Sequence, residues 1–153
     1  CELLQPDVAG LRAIDDLWSR SSSKEEMKQI KELRLAKVYE AAQQTKGTAQ
    51  SNLLYEAAIL ARILGNNENA ATTITAALAA NPNNFQMRLV HIDLALSLGD
   101  TNTAKKEIDW CLLRRPDSQK LQGRIQQFKQ VRIEQASMPR ALDRTVGTPG
   151  EQR

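Results

Sequence analysis

Apolar residues recur three and four positions apart along most of the chain, which is the spacing of amphipathic helices. The first stripe holds Leu11, Ile14 and Leu17, and Pro6 ahead of it occupies a position that proline favours at helix starts. Glycine is scarce and runs of β-branched residues are absent. The pattern therefore predicts helices throughout the chain.

A second helix is predicted to begin at Ser23, because Ser23 and Glu26 have the spacing of a capping box. It should run to about Gln44, and Gly47 should end it. The apolar residues that this helix is expected to bury are Met27, Ile30, Leu33, Val38 and Ala42.

The middle of the chain repeats itself, with residues 85–118 following the pattern of residues 51–84. The matched pairs are Leu60/Leu94, Ala61/Ala95, Leu64/Leu98, Gly65/Gly99, Ala70/Ala104, Ile74/Ile108, Leu78/Leu112 and Pro82/Pro116. Each pair is 34 positions apart, and a repeat of this length indicates stacked pairs of helices.

Each repeat has residues that suit an antiparallel helix pair. Gly65 is predicted to end the first helix in a left-handed conformation, and Pro82 to stop the second. Ala70 and Ala104 are expected where the two helices cross most closely. Cys111 falls on the inward side of its helix, so we expect a small buried core residue there.

These two segments resemble the tetratricopeptide repeat family. In the first segment the residues on the family's signature positions are Leu54, Ala57, Ala58, Ala61, Ala70, Ile74, Ala77 and Pro82. The second segment departs from the family pattern at Arg88, where a large apolar residue is usual, and at His91, where leucine is usual. The resemblance implies an all-α fold of antiparallel helix-pair repeats, an α-solenoid of about seven helices.

We predict three parts in the chain. Residues 1–46 should form a short lead and a degenerate helix pair, and residues 47–138 two repeat units with a C-terminal capping helix. Residues 139–153 have the proline and glycine content of a linker, so an extended tail is expected there. The apolar face of the capping helix should consist of Leu121, Ile125, Phe128 and Val131.

Signals for catalysis are nearly absent from the sequence. His91 is the only histidine, and Asp93 falls on a different face of the same predicted helix. The two cysteines have neither metal-ligand spacing nor a histidine cluster, and no phosphate-binding loop is present. We therefore expect a non-catalytic protein with no cofactor and no metal site.

The resemblance implies that the first helix of each pair lines a concave groove, which holds a peptide or helix of a protein partner. The groove residues predicted by helical phase are Asn52, Tyr55, Ile59, Arg62, Gln86, Leu89, Asp93 and Leu96. An alternative for Leu89 and Leu96 is packing against neighbouring helices. The lysine–asparagine set with which some relatives clamp a C-terminal carboxylate is missing, so a chaperone-tail partner is not expected. The net charge of +3 is too small to indicate nucleic-acid binding.

The segment CELLQPD resembles the start of a mature bacterial lipoprotein, which implies acylation of Cys1. On this basis we expect an outer-membrane lipoprotein that faces the bacterial periplasm. It would serve as a scaffold subunit of a larger envelope complex such as a pilus, secretion or motor assembly. The alternative is a cytoplasmic adaptor or secretion chaperone of the same fold.

Overall fold

The computed structural model describes residues 8–18 and 23–151, with side chains described within 8–16 and 23–137. Over these ranges the chain forms seven α-helices and no strand. The helices are α1 Val8–Trp18, α2 Lys24–Gln43, α3 Gly47–Ile63, α4 Asn67–Ala80, α5 Phe85–Ser97, α6 Thr101–Arg114 and α7 Gln119–Glu151. Successive helices pack as antiparallel pairs, which confirms the predicted all-α fold class.

The chain forms two compact units, a first unit of residues 1–87 and a second unit of residues 88–153. The predicted division into parts at residues 46 and 138 remains a prediction. Among the described residues, no helix combines the length and the apolar character needed to cross a bilayer.

Polar side chains cap three of the helices at their N-terminal ends. The Ser23 hydroxyl accepts a hydrogen bond from the Glu26 amide at 3.2 Å, so the cap predicted for α2 is confirmed. Asn66 and Asp100, which occupy the same position in the two repeats, are the N-cap residues of α4 and α6. Each side chain accepts a hydrogen bond at 3.1 Å from the amide three residues further on. These caps satisfy amides that would otherwise lack a partner within the helix.

Gly65 and Gly99 have φ angles of 86° and 72°, so the predicted left-handed residue is found in both repeats. Gly47 also has a positive φ, 68°, but its role differs from the prediction. It is the first residue of α3, whereas α2 ends earlier, where the Gln44 amide donates to carbonyls of the last turn.

The core of the first unit is made mainly of small side chains. Val38 of α2 packs with Ala57 and Leu60 of α3, and all three are buried. Ala70 of α4 has no exposed surface, as predicted for the close crossing of two helices. The buried Ser51 hydroxyl donates to the carbonyl of Ala77 at 2.8 Å and so joins α3 to α4.

The core of the second unit follows the same register. Ala104 and Cys111 of α6 have no exposed surface, and both are where the repeat predicted buried residues. Ile92 and Leu94 of α5 and Leu121 of α7 are also fully buried. Ile125, Phe128 and Val131 continue the apolar face of α7 as partly buried residues.

Two expectations about the helices differ from the structure. Leu33 was expected to be buried but is 48% exposed, because α2 turns Lys31, Arg34 and Val38 inward instead. The tail predicted to be extended from residue 139 is helical to Glu151 as the end of α7. The sequence does not explain this, because Pro139, Gly147, Pro149 and Gly150 all disfavour the interior of a helix. The residues Pro6 and Cys1 lie outside the described ranges.

Candidate functional site

One side of α3 is accessible along most of the helix. Asn52 and Arg62 at its two ends are exposed, and Tyr55 and Ile59 between them are partly buried. These residues follow one another at intervals of three and four, so they lie on the same side of the helix. The buried residues on the other side of α3 include Ala57, Leu60 and Ala61. The structure therefore brings together the four groove residues predicted on this helix.

The groove residues predicted on α5 have different environments. Gln86 is exposed, but Leu89 has no exposed surface and is a core residue, so it is not available to a partner. Asp93 is partly buried, and its carboxylate accepts a hydrogen bond from Arg124 at 2.8 Å. Arg124 also donates to the carbonyl of Leu89 at 3.1 Å. The leucine at 89 is buried because it faces the interior of the second unit, which was the alternative that the sequence left open.

A chain of ion pairs joins the first three helices. Asp15 of α1 is 2% exposed and accepts hydrogen bonds from Lys31 at 2.7 Å and Arg34 at 2.8 Å, both on α2. Arg34 also donates to Glu56 of α3 at 2.9 Å, and Glu56 accepts a further bond from Arg12 of α1 at 2.8 Å. These five side chains thus connect α1, α2 and α3 through alternating charges.

The two carboxylates of this network are held in the ionised form. Burial alone would raise the pKa of Asp15, but hydrogen bonds from Lys31 and Arg34 outweigh that effect and lower the pKa below its ordinary value. Burial likewise opposes ionisation of Glu56, and bonds from Arg12 and Arg34 again lower its pKa. The network therefore stabilises the packing of helices and does not hold a proton ready for transfer near neutral pH.

A second buried cluster lies between α5 and α6. The carboxylate of Glu107, whose side chain is 8% exposed, accepts a hydrogen bond from Arg88 at 2.7 Å. Its other oxygen is 2.8 Å from Nδ1 of His91, which donates because a carboxylate can only accept. Arg88 and His91 are the two departures from the family pattern, so Glu107 accounts for how both polar side chains are accommodated in partly buried positions.

His91 is hydrogen-bonded to a carboxylate, as a catalytic histidine often is, but the nearby Cys111 thiol is not an activated nucleophile. Burial raises the pKa of the nearby Cys111 thiol to about 11, and the charge of Glu107 adds to that rise. A thiol with such a pKa is almost entirely protonated at neutral pH and is a poor nucleophile. The pKa of Glu107 is itself lowered: burial acts against ionisation, and the bonds from His91 and Arg88 overcome it. The geometry is therefore that of a structural ion cluster.

A surface pocket opens between the start of α2 and the end of α3. Its apolar lining includes Met27, Ile63 and Leu64, and its volume is about 480 Å³. Ile63 is 58% exposed, which is high for an isoleucine. The pocket also has lysines at its edge, among them Lys28.

Within the described ranges, no group of three or more His, Cys, Asp or Glu side chains could hold a metal ion. Over the same residues, every buried side-chain nitrogen and oxygen has a hydrogen-bond partner. The accessible side of α3 remains a predicted binding site.

Comparison with known proteins supports the fold. No protein-family model matches the chain, and no curated protein matches its sequence. A solved structure of the Hsp90 co-chaperone Cns1 from Saccharomyces cerevisiae (delta69) matches with a TM-score of 0.61 and 12% sequence identity. The match covers 94% of this chain and 45% of the Cns1 chain, so this protein spans less than half of that relative. The shared feature is the fold, an all-α arrangement of antiparallel helix pairs.

Proposed function

We propose that this protein is a non-catalytic interaction module that holds a segment of another protein against the accessible side of α3. The observation that carries the proposal is the stripe of Asn52, Tyr55, Ile59 and Arg62, which remains accessible on a helix whose other side is fully packed. The tetratricopeptide-like fold supports the same proposal, since stacked helix pairs create extended binding surfaces.

The chemistry of this stripe suits a peptide or a helix. Tyr55 and Ile59 offer apolar surface at the centre, and a partly buried tyrosine is a typical anchor of protein interfaces. Asn52 at one end has an amide group that can both donate to and accept from a peptide backbone. Arg62 at the other end provides an exposed guanidinium group. The predicted contribution of Gln86 and Asp93 to the same groove remains part of the proposal.

The test is a pair of double variants in the full chain. Tyr55→Ala with Arg62→Ala removes the apolar centre and the cation of the stripe. Thr72→Ala with Thr75→Ala is the matched control, because both threonines are exposed on α4 and donate only to carbonyls of their own helix. Both variants should keep the helicity of the parent, measured by circular dichroism.

Partners that co-purify from native membranes and from the native soluble fraction are then identified and quantified by mass spectrometry. We expect recovery of the main partners to fall by about tenfold for the α3 variant, as for loss of interface anchors, and to be unchanged for the control. If both variants recover the same partners in the same amounts, the α3 surface is not the binding site.

The finer proposal is a scaffold lipoprotein of a bacterial envelope assembly, such as a pilus, secretion or motor complex, with Cys1 as the acylated residue. A cytoplasmic adaptor or secretion chaperone is the alternative. Intact-mass measurement of the protein from its native host decides between them. We expect the mass of attached acyl chains on Cys1, and an unmodified thiol there would leave the cytoplasmic alternative.

A further inference from the structure

The outer side of α6 presents an aromatic residue, a leucine and two cations together. Four side chains share this side of the helix: Lys106, Trp110, Leu113 and Arg114. Trp110 lies four residues after Lys106, and Leu113 and Arg114 follow Trp110 by three and four residues. Leu113 is 83% exposed, and Lys106 and Arg114 are also exposed. Soluble proteins expose single leucines commonly, but this one lies beside a tryptophan that is itself held in place.

Two guanidinium groups fix the ring of Trp110. The guanidinium carbon of Arg114 is 3.7 Å from the ring centroid, and that of Arg88 is 4.5 Å from it. Arg114 also donates to the backbone carbonyl of Trp110 at 3.1 Å, and Arg88 to the buried Glu107 at 2.7 Å. A ring restrained in this way loses little further freedom on binding. Tryptophan and arginine are also the residues most enriched at the energetic centres of interfaces.

The charge of this surface is positive. The carboxylate of Glu107 lies beneath it and is already paired with Arg88 and His91. Two other acids of the region are also engaged: Asp109 accepts a hydrogen bond from Lys105 at 2.8 Å, and Asp100, which interacts electrostatically with Lys106, accepts one from the Thr103 amide at 3.1 Å. Lys106 and Arg114 are thus the charges that a ligand would meet beside Leu113.

We propose that this side of α6 binds an acidic segment of a partner protein. The segment places an aliphatic side chain against Leu113 and Trp110, and its carboxylates pair with Arg114 and Lys106. The exposed leucine favours a protein over a nucleic acid, because a phosphodiester backbone has no apolar group to cover an aliphatic side chain. This surface includes none of the α3 residues, so the proposal can be tested independently of the function proposed above.

The probe is a displayed library of random short peptides, selected on the purified full chain. Enriched peptides are made synthetically, and their dissociation constants are measured on the parent and on variants. The test variants are Leu113→Ser and Arg114→Glu, and Lys129→Glu is the control because it reverses an exposed charge of the second unit on a different helix, α7. Leu113 makes few contacts within the chain, so the Leu113→Ser variant should keep the fold.

We expect peptides that combine aspartate or glutamate with an aliphatic residue. Their dissociation constants should rise about tenfold in each test variant, and should change by less than about twofold in the control. A Tyr55→Ala variant should bind them like the parent, so this result does not depend on the α3 surface. The proposal is overturned if no enriched acidic peptide depends on Leu113 and Arg114, or if single-stranded oligonucleotides bind this side more tightly than the selected peptides.

Discussion

Replacing Glu107 tests whether one buried carboxylate holds α5 and α6 together. Glu107→Thr removes the acceptor for Arg88 and His91 while leaving both basic groups inside the protein. Breaking a buried ion pair by removing one partner costs roughly 3–5 kcal/mol. We expect about 3 kcal/mol, the lower end of that range, because the Arg88 and His91 side chains are 17% and 14% exposed and keep some access to water.

The first repeat offers a matched variant for this experiment. The residues that it has 34 positions earlier are Leu54, Ala57 and Thr73. Installing all three, as Arg88→Leu with His91→Ala and Glu107→Thr, removes the basic groups together with the acid. The triple variant leaves no unpaired charge inside but removes some buried volume, so we expect it to be more stable than Glu107→Thr alone by about 1–2 kcal/mol.

The free energy of unfolding is measured by urea titration, with circular dichroism as the probe for the whole chain. Fluorescence of Trp110 in a Trp18→Phe background is a second probe, because Trp110 belongs to the second unit. Agreement between the two probes shows whether the units unfold together. The reasoning is refuted if the single variant loses less than about 0.5 kcal/mol, or if the triple variant is as unstable as the single one.

Three further predictions concern packing, pH and the thiol. Ala70→Leu should lower the free energy of unfolding by about 1–3 kcal/mol, because it overpacks a fully buried site. Ala76→Leu on the exposed side of α4 is the control and should change the free energy of unfolding little. Equal effects of the two variants in urea titrations would contradict the register. The pKa values of Asp15, Glu56 and Glu107 are lowered in the folded protein, so their stabilisation is present above the ordinary carboxyl pKa and is lost as the pH falls. Stability should therefore decline below about pH 4.5, and a stability that is flat through this range in urea titrations would refute the ion-pair assignment. The thiol of Cys111 is fully buried, and its pKa is raised to about 11. It should therefore react with iodoacetamide far more slowly in the folded chain than in urea, measured in a Cys1→Ser variant. Equal rates in the two conditions would show that the thiol is accessible.

The fold could be predicted from the sequence because its signals are local and occur twice. Gly65 and Gly99 adopt the same left-handed conformation, and Ala70 and Ala104 are fully buried at equivalent positions. A 34-residue period fixes which side of each helix faces inward, so one repeat confirms the interpretation of the other. The burial of Leu89 could not be predicted in the same way, because helical phase does not distinguish a groove residue from one that packs inside its own unit.

The two buried ion clusters differ in how far their residue pairings can be predicted from the sequence. The network of Asp15, Arg34 and Glu56 joins helices of which only α3 belongs to a repeat, so no register in the sequence aligns these residues.

The cluster around Glu107 is different, because Arg88 and His91 replace apolar residues of the first repeat. Two basic groups at inward positions of α5 require a buried acid nearby, since an unpaired charge in the interior is strongly unfavourable. Among the inward positions of α6, which are Ala104, Glu107, Ile108 and Cys111, only one can supply that acid. The departures from the repeat pattern are therefore a coupled set of three, and charge balance assigns Glu107 to Arg88 and His91 once the inward positions of α6 are known.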